Sequence, residues 1–143
     1  MDLDWAFSQK DINWEELSNL YRLAPLGKKE PENLKIVFSH SMFKCFVNHG
    51  ENLIGVGRAL ADGKDCSYIC DVAVLPDYQG KGIGRDIVKK LIALSKGHKK
   101  IILYANPGTE SFYKNLGFDR MSTAMAIFED QEQALKAGLT NKT

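Results

Sequence analysis

The stretch Gln79-Gly80-Lys81-Gly82-Ile83-Gly84-Arg85 sets three glycines at alternate positions between an apolar run and the start of a long amphipathic segment. Glycine lets a backbone turn sharply and come close to a ligand, and the first N–H groups of a helix lack partners at the positive end of its dipole. A strand, such a turn and a helix together form a cradle suited to a diphosphate. The same residues could equally serve as a tight turn that lets helix and strand pack. Spacing excludes two other phosphate-binding patterns. A phosphate loop needs G-x-x-x-x-G-K followed by Ser or Thr. A dinucleotide fingerprint needs G-x-G-x-x-G and an acid about 20 residues later, where this chain has the apolar neighbourhood of Tyr104.

The flanking periodicities give an α/β chain with a mixed sheet. Ser67 to Leu75 reads as a strand ended by Pro76-Asp77-Tyr78. From near Gly82 a helix carries Ile83, Ile87, Val88, Leu91, Ile92 and Leu94 on one stripe and ends at Gly97. Ile101 to Ala105 is a short apolar strand, so strand, helix and strand form a buried parallel crossover. Upstream, Leu3, Trp5 and Phe7 alternate as a short strand. Asn13 caps a helix bearing Trp14, Leu17, Leu20, Tyr21 and Ala24, which Pro25 and Gly27 stop, and Pro31 opens a second helix with Leu34, Val37 and Phe38. Phe43 to Val47 and Leu53 to Leu60 pair as a hairpin around His49-Gly50-Glu51-Asn52. Downstream, Asn106-Pro107 is expected to start a helix closing at Gly117, followed by a strand from Phe118 to about Phe128 and a short helix from Asp130 to Lys136. A length of 143 residues predicts one domain over 1–143.

Nineteen Lys and Arg against eighteen Asp and Glu leave a net charge of +1, too little to hold nucleic acid or an anionic membrane by its general field. Cys45, Cys66 and Cys70 form no C-x-x-C pair, which points to a reducing cytoplasm rather than a disulfide or zinc framework. His40, His49 and His98 lack metal spacing, so no metal is expected. The N-terminus is acidic, and no apolar run approaches the roughly 20 residues of a membrane span, which predicts a soluble intracellular protein.

Gln79 to Arg85 resembles the Q/R-x-x-G-x-G/A motif of the GNAT superfamily of acyl-CoA-dependent N-acetyltransferases. Asn106 with Phe112-Tyr113-Lys114-Asn115-Leu116-Gly117-Phe118 is similar to that family's closing signature, and Asp71-Val72-Ala73-Val74-x-Pro76-x-Tyr78 to the strand entering its motif. The motifs span 67–118, and Asp71 to Phe118 is most similar to small arylalkylamine and polyamine acetyltransferases. The resemblance implies the GNAT acyl-CoA N-acyltransferase fold, with a central sheet splayed between the strands ending at Leu75 and Ala105 and acetyl-CoA in the gap. It implies that the backbone of Val72, Ala73 and Val74 pairs with the pantetheine and offers an N–H to the thioester oxygen. Gln79, Gly80, Lys81, Gly82, Ile83, Gly84 and Arg85 would hold the diphosphate, with Lys81 and Arg85 adding charge. Asn106 would bond the pantetheine, or would simply cap its helix. Tyr113 would sit by the thioester sulfur and donate to the leaving thiolate.

The acceptor amine poses a separate requirement, because an alkylammonium of pKa about 10.4 is neutral about once per thousand molecules near pH 7.4, a cost of about 4 kcal/mol. Asp71, in an otherwise apolar strand, is the carboxylate placed to take the proton or to hold the second ammonium of a diamine. It could instead be a hydrogen-bonded structural acid. Tyr68 and Cys70 also line the expected substrate site, on the face opposite Asp71 unless a bulge intervenes. Nothing adjacent in sequence activates Cys70 as a nucleophile, so direct attack by the amine in a ternary complex is expected. The expected reaction is acetyl transfer from acetyl-CoA to a small primary amine. Acetylation of a protein lysine or N-terminus and a non-catalytic CoA-binding module are the alternatives. Met121 to Phe128, read as an apolar edge strand, predicts a homodimer unless the helix from Asp130 covers it.

Overall fold

The computed structural model describes all residues, 1–143. Contacts divide the chain into two compact units, Met1–Leu103 and Tyr104–Thr143. In the first, β1 (Asp4–Ala6), α1 (Trp14–Leu23), α2 (Pro31–Ser39), β2 (Phe43–His49), β3 (Asn52–Ala61) and β4 (Cys66–Val74) follow in order. A single 3-10 turn, Pro76–Tyr78, then leads to α3 (Ile83–Leu94) and β5 (Lys100–Ile102). The five strands form one sheet in the order β1-β2-β3-β4-β5. Neighbours are antiparallel except for β4 and β5, which are parallel as the crossover requires.

Local chemistry explains the helices. The Asn13 side chain accepts from the Glu16 N–H at 3.1 Å and starts α1, whose Leu17, Leu20 and Tyr21 are buried. Pro31 opens α2 at a position where its missing N–H has no cost. These two helices pack Leu17, Leu20, Tyr21, Leu34 and Phe38 on Phe46, Val56 and Ala73 of the sheet. On the opposite face α3 buries Ile83, Ile87, Val88 and Leu91. Its C-terminal end is tied to β4 through the buried Ser67 and Ser95 hydroxyls, 2.7 Å apart.

Gly55 and Gly57 of β3 let α3 lie close to the sheet. A Cβ on Gly57 would stand 2.7 Å from Ile87 Cγ2 and 2.9 Å from Leu91 Cδ1. Gly57 also faces the irregularity in β4: Arg58 pairs with Cys70 and Val56 with Ala73, so both Asp71 and Val72 stand opposite Gly57. This is a β-bulge, and Asp71 is the one non-glycine residue with positive φ, at 56°.

In the second unit, α4 (Glu110–Lys114) and α5 (Gln131–Lys136) are short. The Asp130 side chain caps α5 by accepting from Gln133 N–H at 3.0 Å. Three expectations are corrected here. The helix expected from Asn106-Pro107 begins at Glu110, behind Thr109, because the Asn106 carbonyl is occupied by a turn, accepting from the Thr109 N–H at 3.1 Å and its hydroxyl at 2.7 Å. The strand expected over Phe118 to Phe128 is absent. Apolar residues make a strand only where a ladder partner exists, and the sheet takes no strand from this segment. Met125 and Ile127 are instead 95% and 94% exposed. The strand expected over Ile101 to Ala105 is also shorter, ending at Ile102. No helix is long and apolar enough to cross a membrane.

Substituting Gly57→Ala forces side chains of α3 outward and is expected to lower unfolding stability by about 1–3 kcal/mol, measured by urea denaturation.

Candidate active site

The glycine segment forms the turn that its composition suggests. Gly80 and Gly82 have φ of 77° and 83°, in the left-handed region that side chains avoid. Gly82 is the N-cap of α3 and makes no side-chain cap bond. The helical ladder starts with Asp86 N–H donating to Gly82 C=O at 3.0 Å, so the N–H groups before Asp86 point out of the helix end. Gln79 braces this loop rather than reaching outward, donating through Nε2 to the carbonyls of Val74 at 2.9 Å and Ala24 at 3.3 Å. The cations lie at the rim. Arg85 folds over Gly82, where an added Cβ would meet Nη2 at 2.7 Å, and Lys81 Nζ lies 5.7 Å from the centre of the Tyr78 ring. The Tyr78 hydroxyl is 2.7 Å from His49 Nδ1.

An unpaired strand edge leads into this cradle. β5 pairs with β4 only from Cys66 to Tyr68, so the remainder of β4 has β3 on one side and no strand on the other. Leu75 N–H donates to Ile54 C=O at 2.9 Å, and ladder alternation therefore turns the Val74 N–H away from β3 toward that open edge. The Val72, Ala73 and Val74 backbone thus lies along the edge that β5 leaves unpaired.

The bulge settles which face the candidate substrate residues share. Without it, Cys70 and Asp71 would point oppositely; with it, both lie on the α1 and α2 face, and alternation carries Tyr68 there too. Asp71 is ion-paired on both oxygens, with Arg58 Nε 2.9 Å from Oδ2 and Lys29 Nζ 3.7 Å from Oδ1. Its carbonyl accepts from the Tyr21 hydroxyl at 2.7 Å. Burial, reinforced by the Asp71 charge, raises the Tyr21 phenol well above its usual value. Burial likewise pushes the Cys70 thiol up to about 11, against a partial pull from Arg58. A thiol held this way is a poor nucleophile.

Sequence reasoning gives Tyr21, Lys29 and Arg58 no role in the site: Tyr21 reads as a core position of α1 and Lys28-Lys29-Glu30 as a solvated charged turn. Arg58 carried the available signal, a charge within the apolar run Ile54 to Leu60, just as Asp71 stands in the next strand.

Within the second unit, Tyr113 lies in α4 with its ring 5.0 Å from that of Phe112 and 6.1 Å from that of Phe118, both edge-on. The Phe118 N–H donates to the Tyr113 carbonyl at 3.1 Å, closing the turn at Gly117. Burial raises the Tyr113 phenol, favouring the protonated form able to donate a hydrogen bond.

The glycine turn at the open end of α3 and the strand edge beside it form the candidate site. The model of the acetyltransferase (GNAT) family matches residues 10–118, and the chain belongs to that family, which uses acetyl-CoA as acyl donor and carries out acyl transfer. An uncharacterised N-acetyltransferase, ycf52, of Pyropia yezoensis is 32% identical over 117 residues, covering 78% of this chain and 67% of that protein. The soybean histone acetyltransferase TAP1 is 39% identical over 94 residues, 62% of this chain and 41% of that one. A chloroplastic serotonin N-acetyltransferase of rice is 29% identical over 126 residues, 82% and 63%. The chain thus spans two thirds or less of these relatives' lengths. The solved structure of a GNAT-family acetyltransferase from Streptococcus pneumoniae superposes with a TM-score of 0.75 at 24% identity, covering 90% of this chain and all of that one.

The buried Cys45 thiol and the half-buried Cys70 thiol set an alkaline limit on stability. Cys45 is pushed to about 12 and Cys70 to about 11, from an ordinary 9.0, chiefly by burial. Below about 9 both folded and unfolded chains keep these protons and stability is full. Above it the unfolded chain releases protons that the fold retains, so stability falls as pH rises through 9 toward 11–12. Urea unfolding between pH 8 and 11 is expected to show this decline, and Cys45→Ala to reduce its slope.

Proposed function

We propose that this chain, as a single N-acetyltransferase domain over 1–143, transfers the acetyl group of acetyl-CoA to a small primary amine by direct attack in a ternary complex. The observation that carries the proposal is the unpaired edge of β4 running into a glycine cradle at the open end of α3. Acetyl-CoA supplies an activated thioester. The backbone N–H groups from Gly80 to Arg85 bind the diphosphate, Lys81 and Arg85 add charge at its rim, and Gln79 keeps the loop in shape. The Val72 to Val74 edge orients the pantetheine, and a backbone N–H there stabilises negative charge as it develops on the thioester oxygen. Asn106 is assigned to the pantetheine; its freedom from helix capping favours that reading over the other. Tyr113 donates to the departing thiolate, Asp71 takes the proton that the amine gives up, directly or through water, and Tyr68 and Cys70 border the amine.

The rice relative supports an arylalkylamine acceptor, beside the diamine or polyamine class that the motif resemblance also suggests. The soybean relative supports the second reading, a protein lysine or N-terminus. Three free thiols fit the reducing cytoplasm that we assign as the location. Exposed Met121, Met125 and Ile127 support a homodimer, and light scattering at micromolar concentration is expected to give twice the chain mass.

At acetyl-CoA concentrations about 100-fold above Kd the fold should gain about 2.7 kcal/mol, read as a higher Tm; no change in Tm with millimolar acetyl-CoA would refute the cofactor assignment. Gly82→Val places a branched side chain at φ 83° against Arg85 and is expected to abolish most of that gain. Tyr113→Phe should lower kcat about 10- to 1,000-fold in a CoA-release assay while leaving the acetyl-CoA stabilisation in place.

A further inference from the structure

The polar cluster at the bulge carries more positive than negative charge. Lys29 and Arg58 supply two cations and Asp71 one anion, with side chains 29%, 12% and 20% exposed. Burial keeps the neighbouring Tyr21 phenol and Cys70 thiol protonated and therefore uncharged near pH 7. Among these five groups one positive charge is left without a counter-charge, only partly screened by solvent.

This surplus is held in position by the fold. Arg58 uses Nε for Asp71 and Nη1 for the Ser41 hydroxyl at 3.2 Å, and its guanidinium lies 6.0 Å from the Phe38 ring centre. Lys29 sits in the short α1–α2 loop, where its carbonyl accepts from Ser18 Oγ at 2.6 Å and its ammonium lies 5.4 Å from the Tyr21 ring centre. At 3.7 Å from Oδ1, Lys29 is beyond direct hydrogen-bonding distance of its partner and retains donors for a further anion.

The location gives this charge a consequence, which rests on the assignment of the β4 edge to the acyl donor. Cys70 and Asp71 immediately precede the Val72 to Val74 backbone on that strand. An acceptor approaching from the α1 and α2 face meets the cluster at its reacting end. The Asp71 carboxylate is already shared by two cations and offers little to a second ammonium. A carboxylate or phosphate on the acceptor gains attraction from Lys29 and Arg58, and the same surplus favours the uncharged form of the attacking amine. We propose that the acceptor is a primary amine bearing an anionic group, held by Lys29 and Arg58, which narrows the small-amine reading above and sets aside its diamine and polyamine branch.

Four primary amines on one three-carbon spine test this: propylamine, 1,3-diaminopropane, 3-aminopropanoate and 3-aminopropyl phosphate, each assayed by CoA release at low and high salt. The better of the two anionic amines should exceed the diamine in kcat/KM by about tenfold or more, with the gap narrowing at high salt. Whichever anionic amine is better distinguishes carboxylate from phosphate. Lys29→Arg should preserve the order and Lys29→Glu reverse it, with acetyl-CoA stabilisation confirming that each variant is folded. A diamine used as well as the anionic amines in the wild-type protein overturns the proposal. So does acetylation of none of the four by a protein whose Tm rises with acetyl-CoA. Failure of the Tm to rise removes the acyl-CoA assignment itself, a result distinct from a wrong charge preference.

Discussion

Between Cys70 and Ala73, β4 carries one residue more than β3 can pair, and Asp71 absorbs the difference at φ 56° with its carbonyl held by the Tyr21 hydroxyl. A non-glycine residue in that region costs of order 1 kcal/mol or more, and Asp tolerates it better than most side chains. Here the strain is met by the Tyr21 bond and the Arg58 ion pair. The bulge brings Cys70 and Asp71 onto one face, and it lies just beyond the point where β5 stops pairing with β4. A bulged strand bends and twists away from regular pairing, so the same irregularity groups the polar side chains and stands beside the edge that β5 leaves unpaired.

Tight packing behind the bulge depends on an absent side chain. Gly57 faces the doubled residues on β4 and leaves room for Ile87 and Leu91 of α3. The helix whose N-terminal end forms the cradle is thereby seated against the sheet beside the unpaired edge of β4. Its other end is secured by the Ser67 and Ser95 hydroxyls. Cradle and open edge consequently belong to one packed assembly of β3, β4 and α3, and neither is a property of a loop alone.

Much of this was legible in the chain. The Asn13 cap, Pro31 at the first turn of α2, the hairpin at Gly50, the apolar stripe of α3 and the glycine segment each depend on neighbours within a few residues, and each stands where periodicity and turn chemistry put it. The segment from Phe118 to Phe128 failed the same reasoning because strand formation depends on a distant partner, which apolar composition cannot guarantee. Asn106 was ambiguous for a related reason: Asn before Pro suits a cap, and only the turn closed by Thr109 excludes that use.

What the sequence determined by itself was local: the helices, the glycine turn with its outward N–H groups, and motifs specific enough to identify the acetyltransferase family. Tertiary structure alone decided the charge at the proposed acceptor end. Lys29, Arg58 and Asp71 are separated by 29 and 13 positions, and their meeting depends on strand register, bulge placement and the path of the α1–α2 loop. Register is set by which faces become buried, a property of all the packed elements together, so a lone Asp in an apolar strand could not disclose the two cations that share it.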